Sequence, residues 1–399
     1  MFSSLKVRNF RIYWFGTLVS LTGTWIQAVA QSWLVFELTK SAFLLGVVGF
    51  LTYIPIFLLS LFGGVLADRV NKRNILIFTQ IAFMLLAFIL ALLTQLKLIT
   101  PAQIMVIALL NGVVMAFDAP SRQAVVVELV GKTHLLNAIA LNSAAFNSAR
   151  IIGPALAGVF VSTVGMSGCF YINGVSFLAV IAALFLIKIK NNVRNNRNNR
   201  VWQDLRQGLG FIKNHRPILL LMAMVGMVSL FGVSYIILMP VFASEVLKVG
   251  VRGLGILMSS AGAGALAGAL LLARLGDFRR KGRFLISSSL VFSVSLVLFS
   301  LSRNYLSAVF FLALVGGAGV IAVALVNTML QVNVSDEIRG RVMSVFMLTF
   351  AGIMPFGNLI AGGLTQVLGV SFAICISGII CTVFFLTVSR LSPALWDGP

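Results

Sequence analysis

Acid is scarce in this chain. Of 399 residues only 10 are Asp or Glu, against 30 Lys or Arg, and there are just 2 His and 3 Cys. An enzyme site needs a cluster of acids, a His, or a nucleophile with its base. So few such groups speak against a membrane enzyme. The cysteines Cys169, Cys375 and Cys381 sit singly in apolar runs, with no CxxC pair or His/Cys cluster. Neither a disulfide framework nor a metal site is expected. No GxxxxGK[ST] loop occurs, so ATP hydrolysis is not built in, and no cofactor is expected. A cleavable leader is not expected either, because the first apolar run is too long and no small-residue site ends it.

Charge of both signs is low as well, at 10% of residues, where soluble domains carry about 25%. What fills the chain instead is apolar: 59% of residues are hydrophobic and the mean hydropathy is +1.04. No soluble fold of this size hides that much apolar surface, so the solvent is a bilayer. A helix needs about 20 mainly apolar residues to cross it. Runs of that kind lie near 12–37, 42–66, 74–95, 101–121, 135–163, 168–187, 217–243, 252–274, 284–302, 305–331, 342–366 and 370–389. They are too long and too evenly apolar for barrel strands. The expected fold is an all-α membrane protein with twelve transmembrane helices.

The net charge of +20 invites a nucleic-acid reading. The distribution opposes it, because the basic residues sit in short segments between apolar runs. Twelve spans put both termini on one side, and 24 of the 30 Lys and Arg fall on that side. The positive-inside rule then places both termini in the cytoplasm. The stretch from Lys188 to Arg216 is Asn-rich and basic and falls at the midpoint. It reads as a cytoplasmic linker, partly an amphipathic surface helix, between six-helix halves at 1–187 and 217–399.

A shift of 209 residues superposes special positions. Gly46 falls on Gly255, Asp68 on Asp277, Lys72 on Lys281, Asp118 on Asn327, Glu128 on Glu337, Gly131 on Gly340 and Lys132 on Arg341. Six spans separate the copies, so the halves share one orientation. Parallel repeats of this kind imply a substrate site at the midplane between them.

The loop after the second span reads Gly63-Gly64-Val65-Leu66-Ala67-Asp68-Arg69-Val70-Asn71-Lys72-Arg73. Glycines that permit close helix contact, a carboxylate at a helix end and basic residues in a tight loop make a latch that can release on rocking. The segment resembles the G-x-L-A-D-R-x-G-R-K/R signature of the major facilitator superfamily. Gly64, Leu66, Ala67, Asp68, Arg69, Lys72 and Arg73 match it. Asn71 stands where the family has Gly, and Asn enters the left-handed region readily. The copy in the second half keeps Asp277 and is otherwise degenerate.

Further stretches resemble the bacterial branch of enterobactin exporter-type and multidrug efflux permeases. They are Trp33 to Thr39, Asp118 to Gln123, Asn147 to Pro154 and Arg339 to Ser344. That resemblance implies two parallel pseudo-symmetric bundles, residence in a bacterial cytoplasmic (inner) membrane, export and a monomer. Gly153, Pro154 and Gly158 resemble part of the kinked motif of proton-coupled antiporters. Physically they give a kink and tight packing.

Arg150 is the only charge expected well inside a span, and a cation there is costly and marks function by default. Ser143 and Asn147 share its helix face. It suits an anionic substrate group, or an alternating pair with Asp118; a purely structural Arg is the other reading. Thr24, Gln27 and Gln31 form one face of the first span. With Asn111, Asn327, Gln331 and Asn358 they are candidates to line one cavity, although amides in membranes also simply tie helices together. A proton-coupled antiporter needs a titratable group in its pathway. Asp118 is the best candidate and Glu37 the second; His134 falls in a loop.

The reading is a secondary transporter exporting small amphipathic molecules, drug-like compounds or siderophores, by alternating access with a proton as coupling ion. Uptake, or flipping of a lysophospholipid, is the alternative within transport. A non-transporting enzyme or receptor is the remote one.

Overall fold

The computed structural model describes residues 3–131, 133–187, 201–276 and 278–391, with the side chains at 61, 65, 67–69 and 201–204 excepted. Asp277 and Lys132, and the side chains of Asp68 and Arg69, therefore lie outside the described residues. So does the linker at 188–200.

After a short 3-10 turn at Ser3–Lys6, the helices are α1 Arg8–Thr39, α2 Ala42–Arg69, α3 Lys72–Gln95, α4 Pro101–Val130, α5 Leu135–Thr163 and α6 Gly165–Leu186. Then come α7 Val201–Asn214, α8 Arg216–Val246, α9 Gly250–Leu275, α10 Lys281–Leu301, α11 Tyr305–Asn333, α12 Asp336–Leu368 and α13 Val370–Leu391. Among the described residues, eleven of these are long and apolar enough to cross a membrane. They are α2 to α6 and α8 to α13. The first expected span, α1, is 32 residues long. Thr17, Ser20, Thr22, Thr24, Gln27, Gln31 and Ser32 make it too polar to qualify on composition.

Local chemistry sets the helix ends. Thr100 and Gln103 form a reciprocal capping box in front of Pro101, which satisfies two donors that the first turn leaves free. Asn71 caps α3 by accepting from the Arg73 backbone N–H at 3.0 Å, the role its side chain suits. Prolines stand inside α2, α4, α5, α8 and α12 at Pro55, Pro120, Pro154, Pro240 and Pro355. Two π-helical stretches, Val228–Gly232 and Phe242–Val246, interrupt α8.

The chain divides into two compact units. The first holds Met1–Lys40, Leu51–Asn199 and Val251–Gly255. In it α1 packs on α5 and α6, and α3 packs on α4 and α6. Its core gathers Phe10, Tyr13, Leu76, Val125, Leu141, Val180 and Leu184. The second unit holds Ser41–Phe50, Arg200–Gly250 and Ile256–Pro399. There α10 packs on α11 and α13, as α3 does on α4 and α6. The same pairing of helices thus recurs in each unit with the 209-residue repeat. The linker helix α7 lies against α12, with Gly208 backed onto the Arg341 main chain.

The repeat also reaches single contacts. In the second unit, a side chain at Gly46 would strike the Asn358 carbonyl and the Gly362 Cα. In the first, a side chain at Gly255 would strike the Pro154 carbonyl and the Gly158 Cα. Each repeated glycine therefore lets two helix backbones touch over a residue i and a glycine at i+4, the small-residue crossing of membrane helices.

Candidate functional site

In the first unit the sequence places one carboxylate deep in α4, and the fold surrounds it with donors. Asp118 is 2% exposed. Its Oδ1 accepts from Thr79 Oγ1 at 2.8 Å and from Gln80 Nε2 at 2.7 Å, both on α3. Its Oδ2 accepts from Arg122 Nε at 3.0 Å, and Arg122 Nη2 lies 3.0 Å from the same oxygen as an ion pair. The i, i+4 spacing puts Arg122 over Asp118 on one face of α4. A hydrogen bond between charged partners is stronger than a neutral one. Arg122, counted from the sequence among the topology-setting cations, is thus the partner of the best coupling candidate. Among the described residues the carboxylate's bonds go to Thr79, Gln80 and Arg122, and none to Arg150.

Tyr13 on α1 lies beside Arg122, with Thr17 one turn on. The Tyr13 and Thr17 hydroxyls, Gln80 Oε1 and Ser121 Oγ are buried without a protein hydrogen bond of good geometry. Each such group costs about 1–3 kcal/mol when it stays unpaired. Tyr13, Thr17, Thr79, Gln80 and Arg122 were not singled out from the sequence. The Asp-x-x-x-Arg spacing at 118 and 122 is the signal that was there to find.

Lys72 and Arg73 of the loop motif each close a helix end. Lys72 Nζ meets Glu128 Oε1 at 2.7 Å, joining the start of α3 to the end of α4. Arg73 donates to the Leu184 carbonyl at 2.6 Å and the Phe185 carbonyl at 3.1 Å, at the end of α6. It also lies over the Phe185 ring. The close helix contact in this motif belongs to Gly63, which abuts Ala116 of α4, whereas Gly64 faces open space. Behind Thr79 an apolar crevice of about 530 Å³ runs between α2, α3 and α4, walled by residues such as Leu66, Phe78, Val114 and Phe117.

Arg150 stands near the middle of α5, half-buried. Among the described residues no ion pair or hydrogen bond engages its guanidinium. One turn back, Asn147 donates to the Ser143 carbonyl at 2.8 Å. On the same helix Phe146 meets Trp25 edge-on, and Gly153 packs against the Trp25 Cβ. Pro154 and Gly158 form the crossing with Gly255 described above.

The other expected cavity residues are spread over different surroundings. Gln27 is buried and accepts from Asn173 Nδ2 of α6 at 2.7 Å, so it ties α1 to α6. Gln31 is half-buried, and Thr24 is exposed with its hydroxyl on the Ser20 carbonyl at 2.9 Å. Asn111 is half-buried on α4, and Glu37 is exposed in the last turn of α1. In the second unit Gln331 donates to Asn327 at 2.8 Å, and Asn358 is buried against Gly49.

Comparisons with known proteins bear on this arrangement. The chain is 28% identical over 373 residues to the staphyloferrin A transporter of Staphylococcus aureus, covering 92% of this chain and 93% of that one. It is 22% identical over 365 residues to the multidrug efflux pump Tap of Mycolicibacterium fortuitum, covering 89% and 88%. In fold it resembles the crystal structure of a bacterial homolog of the human lysosomal transporter Spinster. The TM-score there is 0.76 at 13% identity, with 98% of each chain covered. The family model described as transmembrane secretion effector matches residues 1–395. The chain, with its repeated helix pairings and its loop motif before α3, belongs to the transmembrane secretion effector family of major facilitator transporters.

Proposed function

We propose that the protein exports small amphipathic molecules, drug-like compounds or siderophores, by alternating access in exchange for protons that enter down their gradient. Arg150 carries the reading. A cation near the middle of a 29-residue membrane helix, with no protein partner among the described residues, is costly unless something else meets it. An anionic group on the cargo is the natural counter-charge, with Asn147 and Ser143 of the same helix face as further polar contacts. The names of the two relatives, a siderophore-named transporter and a drug efflux pump, support small-molecule export.

Asp118 serves as the coupling acid, because it is a buried carboxylate within a spanning helix and its charge is balanced by Arg122. Protonation would loosen that pair and change how α3 and α4 are held. The excess of Lys and Arg on their side supports a cytoplasmic location for both termini. The protein works as a monomer in a bacterial cytoplasmic membrane.

The test is transport by Arg150→Ala and Arg150→Lys proteins in proteoliposomes, with an anionic cargo and a neutral analogue of equal size. Arg150→Ala abolishes anionic transport and spares the neutral analogue, and Arg150→Lys keeps part of it. Equal rates for all proteins with both compounds would return Arg150 to a structural role.

A further inference from the structure

Four polar side-chain atoms in the first unit are buried without a hydrogen bond of good geometry: Tyr13 Oη, Thr17 Oγ1, Gln80 Oε1 and Ser121 Oγ. All belong to residues no more than 5% exposed. They are not scattered. Tyr13 and Thr17 share a face of α1, and Tyr13 adjoins Arg122. Gln80 holds Asp118 through its amide nitrogen, which leaves its oxygen beside the carboxylate. Ser121 stands between Asp118 and Arg122 in sequence, and at i+3 from Asp118 it shares that side of α4.

Orphaned polar atoms are rare in folded proteins, and a group of them around an ion pair marks a place where something hydrogen-bonds them. The groups present sort the candidates. Three hydroxyls donate and accept, and the Gln80 oxygen only accepts. Arg122 repels a metal cation, and Asp118 repels an anion. The small ligand that both donates and accepts and carries no charge is water.

We propose that Tyr13, Thr17, Gln80 and Ser121 form an internal water site around the Asp118–Arg122 pair. Ordered water there bridges the α1 hydroxyls to the α4 carboxylate, so that the pair is joined to α1 through solvent as well as to α3 directly. This deepens the reading of Asp118 as the coupling acid. A hydronium arriving at the site transfers its proton to an Asp118 oxygen and leaves neutral water, while Arg122 keeps its charge. The existence of the water site can be tested without any transport.

The experiment is hydroxyl-radical labelling of the full-length protein by X-ray radiolysis of bound water, read by mass spectrometry. Phe10 is the internal control, because it is fully buried in the same core with an apolar side chain. The proposal expects Tyr13 to be modified several-fold faster than Phe10 in spite of equal burial. A Thr17→Val/Ser121→Ala protein, whose substitutions keep the shape and remove two hydroxyls, loses that excess. Tyr13 labelling no faster than Phe10 would overturn the proposal. So would an excess that survives in the double variant while the protein keeps its melting temperature. Asp118→Asn can abolish coupling or leave it untouched with either outcome, so the water site and the coupling role fail separately.

Discussion

Gln331 donates its amide to Asn327 at 2.8 Å in α11, four residues apart, as Arg122 does to Asp118 in α4. The 209-residue shift carries position 118 to 327 and 122 to 331. The repeat has kept the hydrogen bond and dropped the charge. In the second unit Asn327 is half-buried and Gln331 exposed, whereas in the first Asp118 is buried and Arg122 half-buried. A carboxylate is therefore present at this position in one half only.

That relationship predicts how the pair responds to substitution. Breaking a buried ion pair by removing one partner costs about 3–5 kcal/mol. Arg122→Gln should lie near the low end, because its side chain is 24% exposed. The double variant Asp118→Asn/Arg122→Gln copies the amide pair and recovers most of the loss. Thermal melting of the purified proteins checks this. Additive losses in the double variant would show that the two side chains do not act as a pair.

Lys72 and Glu128 are both largely buried at the ends of α3 and α4, with side chains 12% and 16% exposed. Either single reversal sets like charges together and lowers the melting temperature. The exchange Lys72→Glu/Glu128→Lys restores it in part. No recovery in the exchanged protein would mean that the contact does not hold the helices.

The repeated glycines make a sharper pair. Valine at Gly46 or Gly255 meets a backbone carbonyl and a glycine Cα, and overpacking of this kind costs about 1–3 kcal/mol or more. Gly64→Ala has open space and a helical backbone, so it gains up to about 1 kcal/mol of helix propensity. Melting curves of the three variants should fall into these two groups, and a destabilising Gly64→Ala would contradict the geometry.

Much of the fold was legible from apolar run length alone, since a bilayer demands about 20 such residues per crossing. The same measure hid part of the site. Hydropathy marks the hydrocarbon width, not the end of a helix. The fourth run was expected to close at 121, while α4 continues to Val130. Arg122 was thus counted as a loop cation one residue beyond a boundary, and its bond to Asp118 went unseen. The face of each helix was the second blind spot. Gly63 and Gly64 are adjacent in sequence, yet one meets α4 and the other meets nothing. Gln27 reads as cavity-lining next to Thr24 and Gln31, but its bond to Asn173 depends on how α1 is rotated against α6. For α1, the same polar residues that drew attention as a cavity face are what make it less apolar than the other membrane helices.

We propose that a proton gradient drives export through Asp118. The direct measurement is cargo movement in proteoliposomes with an imposed pH gradient, for the natural protein and for Asp118→Asn. The account predicts gradient-driven transport that collapses when the gradient is dissipated, and an Asp118→Asn protein that moves cargo only down its own gradient. Transport indifferent to the pH gradient, or an Asp118→Asn protein that still concentrates cargo, would contradict it.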